Sequence, residues 1–482
     1  MLHINKFKFG LKENVIEISK DHHKNFPKSL LSVTSGKKSK KSVKILATIG
    51  PKSCSENSIK TISKYTNLFR INGSHNTLDW HLKVSKRIKA ICPESFILLD
   101  IPGLKPRTNN KKIIHIKKGQ IVTFSYGNIK VDDDNLSIKT TKPLPTINKN
   151  LSEFSLSDGQ FIFTHVKNKE NLIQGISKTS FKLMPQKGLN IPNSYYNNLL
   201  QEKLYLKFLK KAEKIQYDGI GLSFIQDGNI PLRIKSMFKN KILVSKIENL
   251  HGLNNVKEIT KNSDLIMIDR GDLLAEVGSN KLYKSIHKVS ENAVNFNKPL
   301  IMATENLESM TKKTNPSKSE VVAMGFNLDL GADCIMLSGE TTTGNYPLEC
   351  VQILTRIAAR IEKEIQPGLT EDLKLFRPKA KMLRSAALLA MRLENSGLLV
   401  FTRSGDLAAK LGALRPNGAP LFAFTDVEGL HRRLRLIWGI EPFFMNFSED
   451  PEITIQNAID RLKTEKWIKE GDSLVTVTNA FA

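Results

Sequence analysis

Eight short runs of β-branched and aliphatic residues recur in the first 340 residues, at 43–49, 68–71, 96–101, 219–224, 242–247, 265–268, 300–303 and 334–337. Most are apolar from end to end rather than alternating. That pattern fits strands buried on both faces, as in a parallel sheet covered by helices. The intervening segments, such as 199–215 and 279–297, have helical length and amphipathic spacing. Eight strand-then-helix units predict an α/β fold built on a closed (β/α)8 TIM barrel.

Two stretches break the pattern. Residues 110–187 are too long for a barrel loop, and Val122-Thr-Phe-Ser-Tyr126 and Phe161-Ile-Phe-Thr-His-Val166 alternate between turn signals. They predict a small β-barrel lid domain inserted into the TIM barrel. Beyond Ser338-Gly-Glu340, helix-like segments lead to three further apolar runs, which predict a C-terminal α/β domain at 365–482. The TIM barrel then comprises 43–109 and 188–364, and residues 1–42 form a basic N-terminal arm. A chain of 482 residues has room for these three domains.

The net charge of +26 comes mostly from dispersed lysines without interleaved aromatics. A solvated surface is expected, with no nucleic-acid partner and no membrane. Cys54, Cys92, Cys334 and Cys350 have no metal-ligand spacing, which argues against zinc and a disulfide framework. The first 45 residues carry Lys37, Lys38, Lys40, Lys41 and Lys44 but no apolar signal core. A cytoplasmic protein is expected, with organelle targeting by the arm as the alternative.

In a (β/α)8 barrel, chemistry sits where strands hand over to the following loops. Here those positions carry Arg70, Asn72, Ser74 and His75, then Asp100, Lys105 and Arg107, then Lys246 and Glu248, then Asp269, Arg270 and Asp272, then Thr304 and Glu305, then Ser338 and Glu340. Taken singly, a Lys-x-Glu is an ordinary ion pair and an Arg-Gly-Asp an ordinary turn. Together at one barrel end they form a set. Glu248 and Asp272 offer hard oxygens suited to Mg2+. Arg70, Lys246 and Arg107 offer positive charge for phosphoryl oxygens, and Thr304 and Ser338 can organise water or pass a proton. Phosphoryl transfer relies on such positioning and charge stabilisation. Gly271 lets backbone approach a ligand, and a helix starting there would point free N–H groups at an anion.

These residues resemble pyruvate kinase from about residue 43 to 480. The matching stretches are Lys44-Ile-Leu-Ala-Thr-Ile-Gly-Pro51, Arg70-Ile-Asn-Gly-Ser-His75, Ser245-Lys-Ile-Glu-Asn249, Arg270-Gly-Asp-Leu273, Ala303-Thr-Glu-Asn-Leu-Glu-Ser-Met310 and Gly331-Ala-Asp-Cys-Ile-Met-Leu-Ser-Gly-Glu-Thr341. The resemblance implies transfer of a phosphoryl group from phosphoenolpyruvate to ADP, giving pyruvate and ATP in the last step of glycolysis, in a homotetramer. It implies Mg2+, with Mn2+ as the alternative, on Glu248 and Asp272. Lys246 and Arg70 would hold the phosphoryl group and enolate charge. Gly271, Asp272 and Thr304 would hold the carboxylate, and Thr304 and Ser338 would deliver the proton. His75, Arg107 and Lys187 would face the nucleotide, and Asp158 would be the lid acid.

Some positions depart from the family pattern. The implied K+ ligands are Asn72, Ser74, Asp100 and Ile101, and Ile101 lacks the usual hydroxyl. Lys105 stands where an acid is usual and is expected to replace the ion, making activity independent of K+. Asp269 stands where alanine is usual and is expected to pair with Arg270 or to repel substrate. Glu305 and Asn306 replace Gln and Met, and Gly73 replaces Phe. In the C-terminal domain Asp406 follows the loop Thr402-Arg-Ser404-Gly405, and a carboxylate there opposes a sugar-phosphate effector. The competing expectation is a family member with reduced or specialised activity, serving as a regulatory or binding module.

Overall fold

The computed structural model describes residues 42–129, 135–364, 378–416 and 418–478. All but the last residue of the predicted basic arm lies outside the described residues.

Eight parallel strands close into a barrel: β1 (Lys44–Thr48), β2 (Leu68–Asn72), β3 (Phe96–Ile101), β4 (Gly219–Leu222), β5 (Ile242–Ile247), β6 (Leu265–Asp269), β7 (Leu300–Ala303) and β8 (Cys334–Leu337). Each pairs with its sequence neighbours, and β1 closes onto β8. Their apolar runs are explained by two buried faces. Leu46, Leu68, Phe96, Leu98, Val244, Met267, Ile301 and Met336 fill the interior. Ile45, Phe69, Ile97, Leu243, Ile266 and Ile335 pack outward with the apolar residues of the surrounding helices. Burying each such side chain contributes about 1.5–3 kcal/mol before entropy is counted.

Side chains alternate along a strand, so the interior face continues upward in steps of two. Above Leu98 comes Asp100, above Val244 comes Lys246, above Met267 comes Asp269, and above Leu68 comes Arg70. The apolar plug is therefore capped by a charged layer at the C-terminal mouth. At the opposite mouth, Leu436 of the C-terminal domain joins the interior cluster. That domain is anchored there by Lys44 Nζ donating to the Ile440 carbonyl (2.8 Å) and by Trp438 N donating to Asp333 Oδ1 (2.9 Å).

The segment between β3 and β4 folds as a six-stranded sheet and a two-stranded ribbon of Ile114–Ile116 with Phe181–Leu183. Phe124, Phe154 and Phe163 form its core. Ser157, Asp158 and Gly159 all adopt positive φ. This tight turn brings Asp158 over the barrel mouth, where it meets Lys105. The C-terminal domain has a four-stranded parallel sheet with its own apolar core. No helix among the described residues is long and apolar enough to cross a membrane.

Candidate active site

Lys246 is the centre of the charged layer. Its ammonium lies 2.7 Å from Glu248 Oε1, 3.3 Å from Asp100 Oδ2 and 3.6 Å from Asp269 Oδ2, and is almost fully buried. Burial lowers its pKa, but Asp100, Glu248 and Asp269 outweigh that and raise it above the ordinary lysine value, so it stays protonated. Arg70 completes the layer, donating from Nε to Asp100 Oδ2 (2.8 Å) and from Nη1 to Thr48 Oγ1 (3.1 Å). Ser223 Oγ donates to the other Asp100 oxygen (3.1 Å).

Carboxylate oxygens of Glu248, Asp269 and Asp272 lie within 4.8 Å of one another. Three hard oxygens so close suit a divalent cation of the Mg2+ or Mn2+ type. Asn190 adds a buried Oδ1 that has no hydrogen-bond partner, while its Nδ2 donates to Asp272 Oδ1 (3.3 Å). The donor set thus fits a metal. Burial pushes Glu248 up to about 8, opposed by Lys246 and reinforced by Asp269 and Asp272. Asp272 is held below its ordinary value, because Lys105 overcomes the effect of burial.

The expected pairing of Asp269 with Arg270 is not found among the hydrogen bonds. The two residues have opposite strand parity. Asp269 turns inward to Lys246 and accepts from Thr304 Oγ1 (3.2 Å). Arg270 turns outward, donating to the Thr304 carbonyl, to Asn306 Oδ1 (3.0 Å) and to Asn327 Oδ1 (3.5 Å). Asn306 therefore serves as a buried bracket, also donating to the Met336 carbonyl (2.8 Å).

Thr304 and Glu305 both adopt the left-handed conformation, with φ of 60° and 51°. Such backbone in two adjacent non-glycine residues costs energy and is typical of functional sites. It sets Thr304 Oγ1 to accept from Gly271 N (3.2 Å). The helix Arg270–Val277 starts here, as the glycine suggested. A Cβ on Gly271 would meet nothing closer than 3.9 Å, so the space beside it is open. Ser338 Oγ is buried without a partner.

Lys105 lines a cavity of about 200 Å3 with Asn72, Ser74 and Asp100. Its amine does not bond to those three: it pairs with Asp158 Oδ1 (2.7 Å) and with Asp272. The cations on Asp100 are Arg70 and Lys246 instead. Asn72 Oδ1 accepts from Ser74 N (3.0 Å), and Ile101 points its side chain into the outer core. Gly73 is explained by Phe208, whose ring fills the space; a Cβ at residue 73 would lie 2.6 Å from it.

Of the three residues assigned to a nucleotide, Arg107 lines the 200 Å3 cavity, donates to the carbonyl of Gln186, the neighbour of Lys187 (3.1 Å), and, with burial as the larger cause, depresses the pKa of His75. Lys187 lines an adjoining cleft of about 1500 Å3 that shares Thr304, Ser338, Asp158 and Asp269 with the cavity. Sequence reasoning missed Ser223 and Asn190, and did not count Asp269 among the metal-binding carboxylates. Strand parity would have found Asp269; the other two come from separate segments.

Residues 40–351 match the family description "Pyruvate kinase, barrel domain", and 380–480 match "Pyruvate kinase, alpha/beta domain". The chain is 26% identical over 490 residues to the chloroplastic pyruvate kinase isozyme A of Ricinus communis, covering 92% of this chain and 81% of that one. It is 27% identical over 451 residues to the pyruvate kinase of Thermotoga maritima, covering 90% and 95%. A crystal structure of a pyruvate kinase from Cryptosporidium parvum superposes with a TM-score of 0.81 at 25% identity, covering 95% of this chain and 96% of that one.

Proposed function

The chain belongs to the pyruvate kinase family, and from that premise we propose that it transfers the phosphoryl group of phosphoenolpyruvate to ADP, forming pyruvate and ATP as the last step of glycolysis. The observation that carries this reading is the charged layer itself: Arg70, Lys246, Glu248, Asp272 and Thr304 share one barrel mouth. Lys246 and Arg70 face the transferring group and take up the charge that develops on its oxygens and on the enolate. The Gly271 edge and Thr304 receive the substrate carboxylate. The P–O bond to the enol oxygen breaks, a P–O bond to the terminal ADP oxygen forms, and a proton enters at the methylene carbon. Thr304 and the unpartnered Ser338 hydroxyl organise that proton's delivery.

Glu248 and Asp272, with Asp269 beside them, would hold Mg2+ or Mn2+, which when bound neutralises phosphoryl oxygens. Arg70 and Lys246 already neutralise Asp100, which supports activity without K+. Arg107, His75 and Lys187 are proposed to meet the nucleotide, and the assembly to be a homotetramer. A cytoplasmic location is proposed, with an organelle as the alternative that the plastid-named relatives raise.

The test is a coupled pyruvate-formation assay on purified protein with Mg2+, phosphoenolpyruvate and ADP, with Lys246→Met as control. Turnover that the variant loses supports the reading. One observation favours a second reading, a family member of reduced activity serving as a regulatory or binding module: Asp269 adds a carboxylate next to Thr304, where the substrate anion would sit. Absence of turnover in the wild type, with substrate binding retained, would select it.

A further inference from the structure

Three aspartates ring the N-terminal mouth of the barrel, each just before a strand: Asp218 before β4, Asp264 before β6 and Asp333 before β8. Each accepts from a backbone N–H near the start of the preceding strand, of Ile97 (2.9 Å), Leu243 (3.0 Å) and Leu300 (2.8 Å) respectively. They are therefore fixed charges. The C-terminal domain meets each with an arginine: Arg432 at 3.8 Å, Arg433 at 3.7 Å and Arg415 at 3.6 Å. The balance differs between them. Arg432 has a second carboxylate in Glu428 (2.6 Å), and Asp333 has Arg415 as its one ion-pair partner among the described residues.

Asp264 instead is shared by three cations. Lys235, on the barrel helix Asn229–Met237, lies 2.7 Å from it, and Arg433 comes from the helix Glu428–Leu434 of the C-terminal domain. Lys298, just before β7, has no carboxylate partner among the described residues; its amine donates to the Ser263 carbonyl (2.6 Å). Burial pushes that amine down to about 8; the charges of Lys235 and Arg433 add to this, and Asp264 opposes it. Three cations on one carboxylate leave two positive charges in excess, which matches the charge of about −1.5 to −2 on a phosphomonoester near neutral pH. The side chains of Lys235 and Arg433 remain 39% and 30% exposed, so an anion can reach them. A guanidinium and two ammoniums supply a planar fork and two point charges, a donor set suited to phosphoryl oxygens.

We infer that Lys235, Lys298 and Arg433 form a site for a phosphoryl dianion at the N-terminal face of the barrel, where the bound anion bridges the barrel and the C-terminal domain. The site lies at the opposite end of the barrel from the charged layer. It also lies apart from the loop Thr402–Gly405: the Ser404 carbonyl holds Arg433 Nη2 (2.6 Å), and Nη1 is the group turned to Asp264. The test is calorimetric titration of the full chain with inorganic phosphate, and separately with glycerol phosphate, at constant ionic strength. Anion taken up at the charged layer contributes alike to wild type and variants, so their difference reads this site. Lys298→Gln and Arg433→Gln are each expected to weaken binding by about tenfold or more. Lys298→Arg is expected to stay within a few-fold of wild type, which separates loss of the site from loss of the fold. Both anions are also expected to slow acylation of Lys298 at pH 8, read by peptide mass mapping. Tighter binding of glycerol phosphate identifies a phosphorylated metabolite as the ligand and tighter binding of phosphate the free anion; either upholds the site. Equal binding by wild type and both glutamine variants, or Lys298 labelling indifferent to both anions, overturns it.

Discussion

Lys105 Nζ stands 2.7 Å from Asp158 Oδ1, and the same ammonium reaches Asp272, so one buried charge ties the lid to the acidic cluster of the barrel. It sits where a divalent cation would compete for Asp272. Lys105→Met is therefore expected to bind Mn2+ about tenfold more tightly than wild type, measured by calorimetric titration. Unchanged or weaker binding would show that the two do not compete.

Asp269 gives the opposite expectation at the same cluster. It supplies one of the three carboxylates within 4.8 Å. Asp269→Asn removes that charge and is expected to weaken Mn2+ binding by about tenfold. Should affinity remain at the wild-type value, Asp269 serves only as a partner of Lys246 and Thr304.

Turnover is expected to be indifferent to K+, because Asp100 already carries Arg70 and Lys246. Initial rates in Na+ and in K+ at equal ionic strength check this. A large rise in K+ would mean that Asn72, Ser74 and Asp100 still hold an ion.

Lys246→Met leaves Asp100, Glu248 and Asp269 short of their shared counter-charge. Removing one member of a buried pair costs about 3–5 kcal/mol, so denaturant unfolding is expected at a lower midpoint. Turnover is expected to fall by about 10³ or more. A variant as stable and as active as wild type would remove Lys246 from the centre of the site.

Glu276 is buried near the cluster, and burial pushes its carboxyl up to about 7 from 4.5, against hydrogen bonds from the Leu250 and Asn193 amides. The folded chain therefore holds this proton more tightly than the unfolded chain. Its contribution is undiminished below pH 4.5 and is lost as pH rises towards 7. Glu276→Gln is expected to gain several degrees of Tm relative to wild type at pH 8 and little or nothing at pH 4.5. Equal differences at the two pH values would contradict a raised carboxyl.

The barrel was legible because its strands are buried on both faces, so the apolar runs mark them without ambiguity; β3, β5, β7 and β8 begin and end where their runs do. The positions of Lys246, Glu248 and Asp272 followed from strand ends. What stayed hidden was pairing. Lys105 bonds across 53 and 167 residues of sequence, to Asp158 and Asp272. Arg270 finds Asn306 and Asn327 rather than its neighbour. Such partners are set by how lid and loops fold over the mouth, and no local pattern records them. The orientation of Asp269, by contrast, was written in the alternation that also buries Leu265 and Met267.

Lys246 and Lys105 give the acidic cluster internal counterions. A newly synthesised chain can therefore close its barrel mouth without waiting for an ion from its surroundings. Under the proposed function, binding of a divalent ion would then be a step separable from folding, and a chain deprived of magnesium would be intact but idle rather than misfolded.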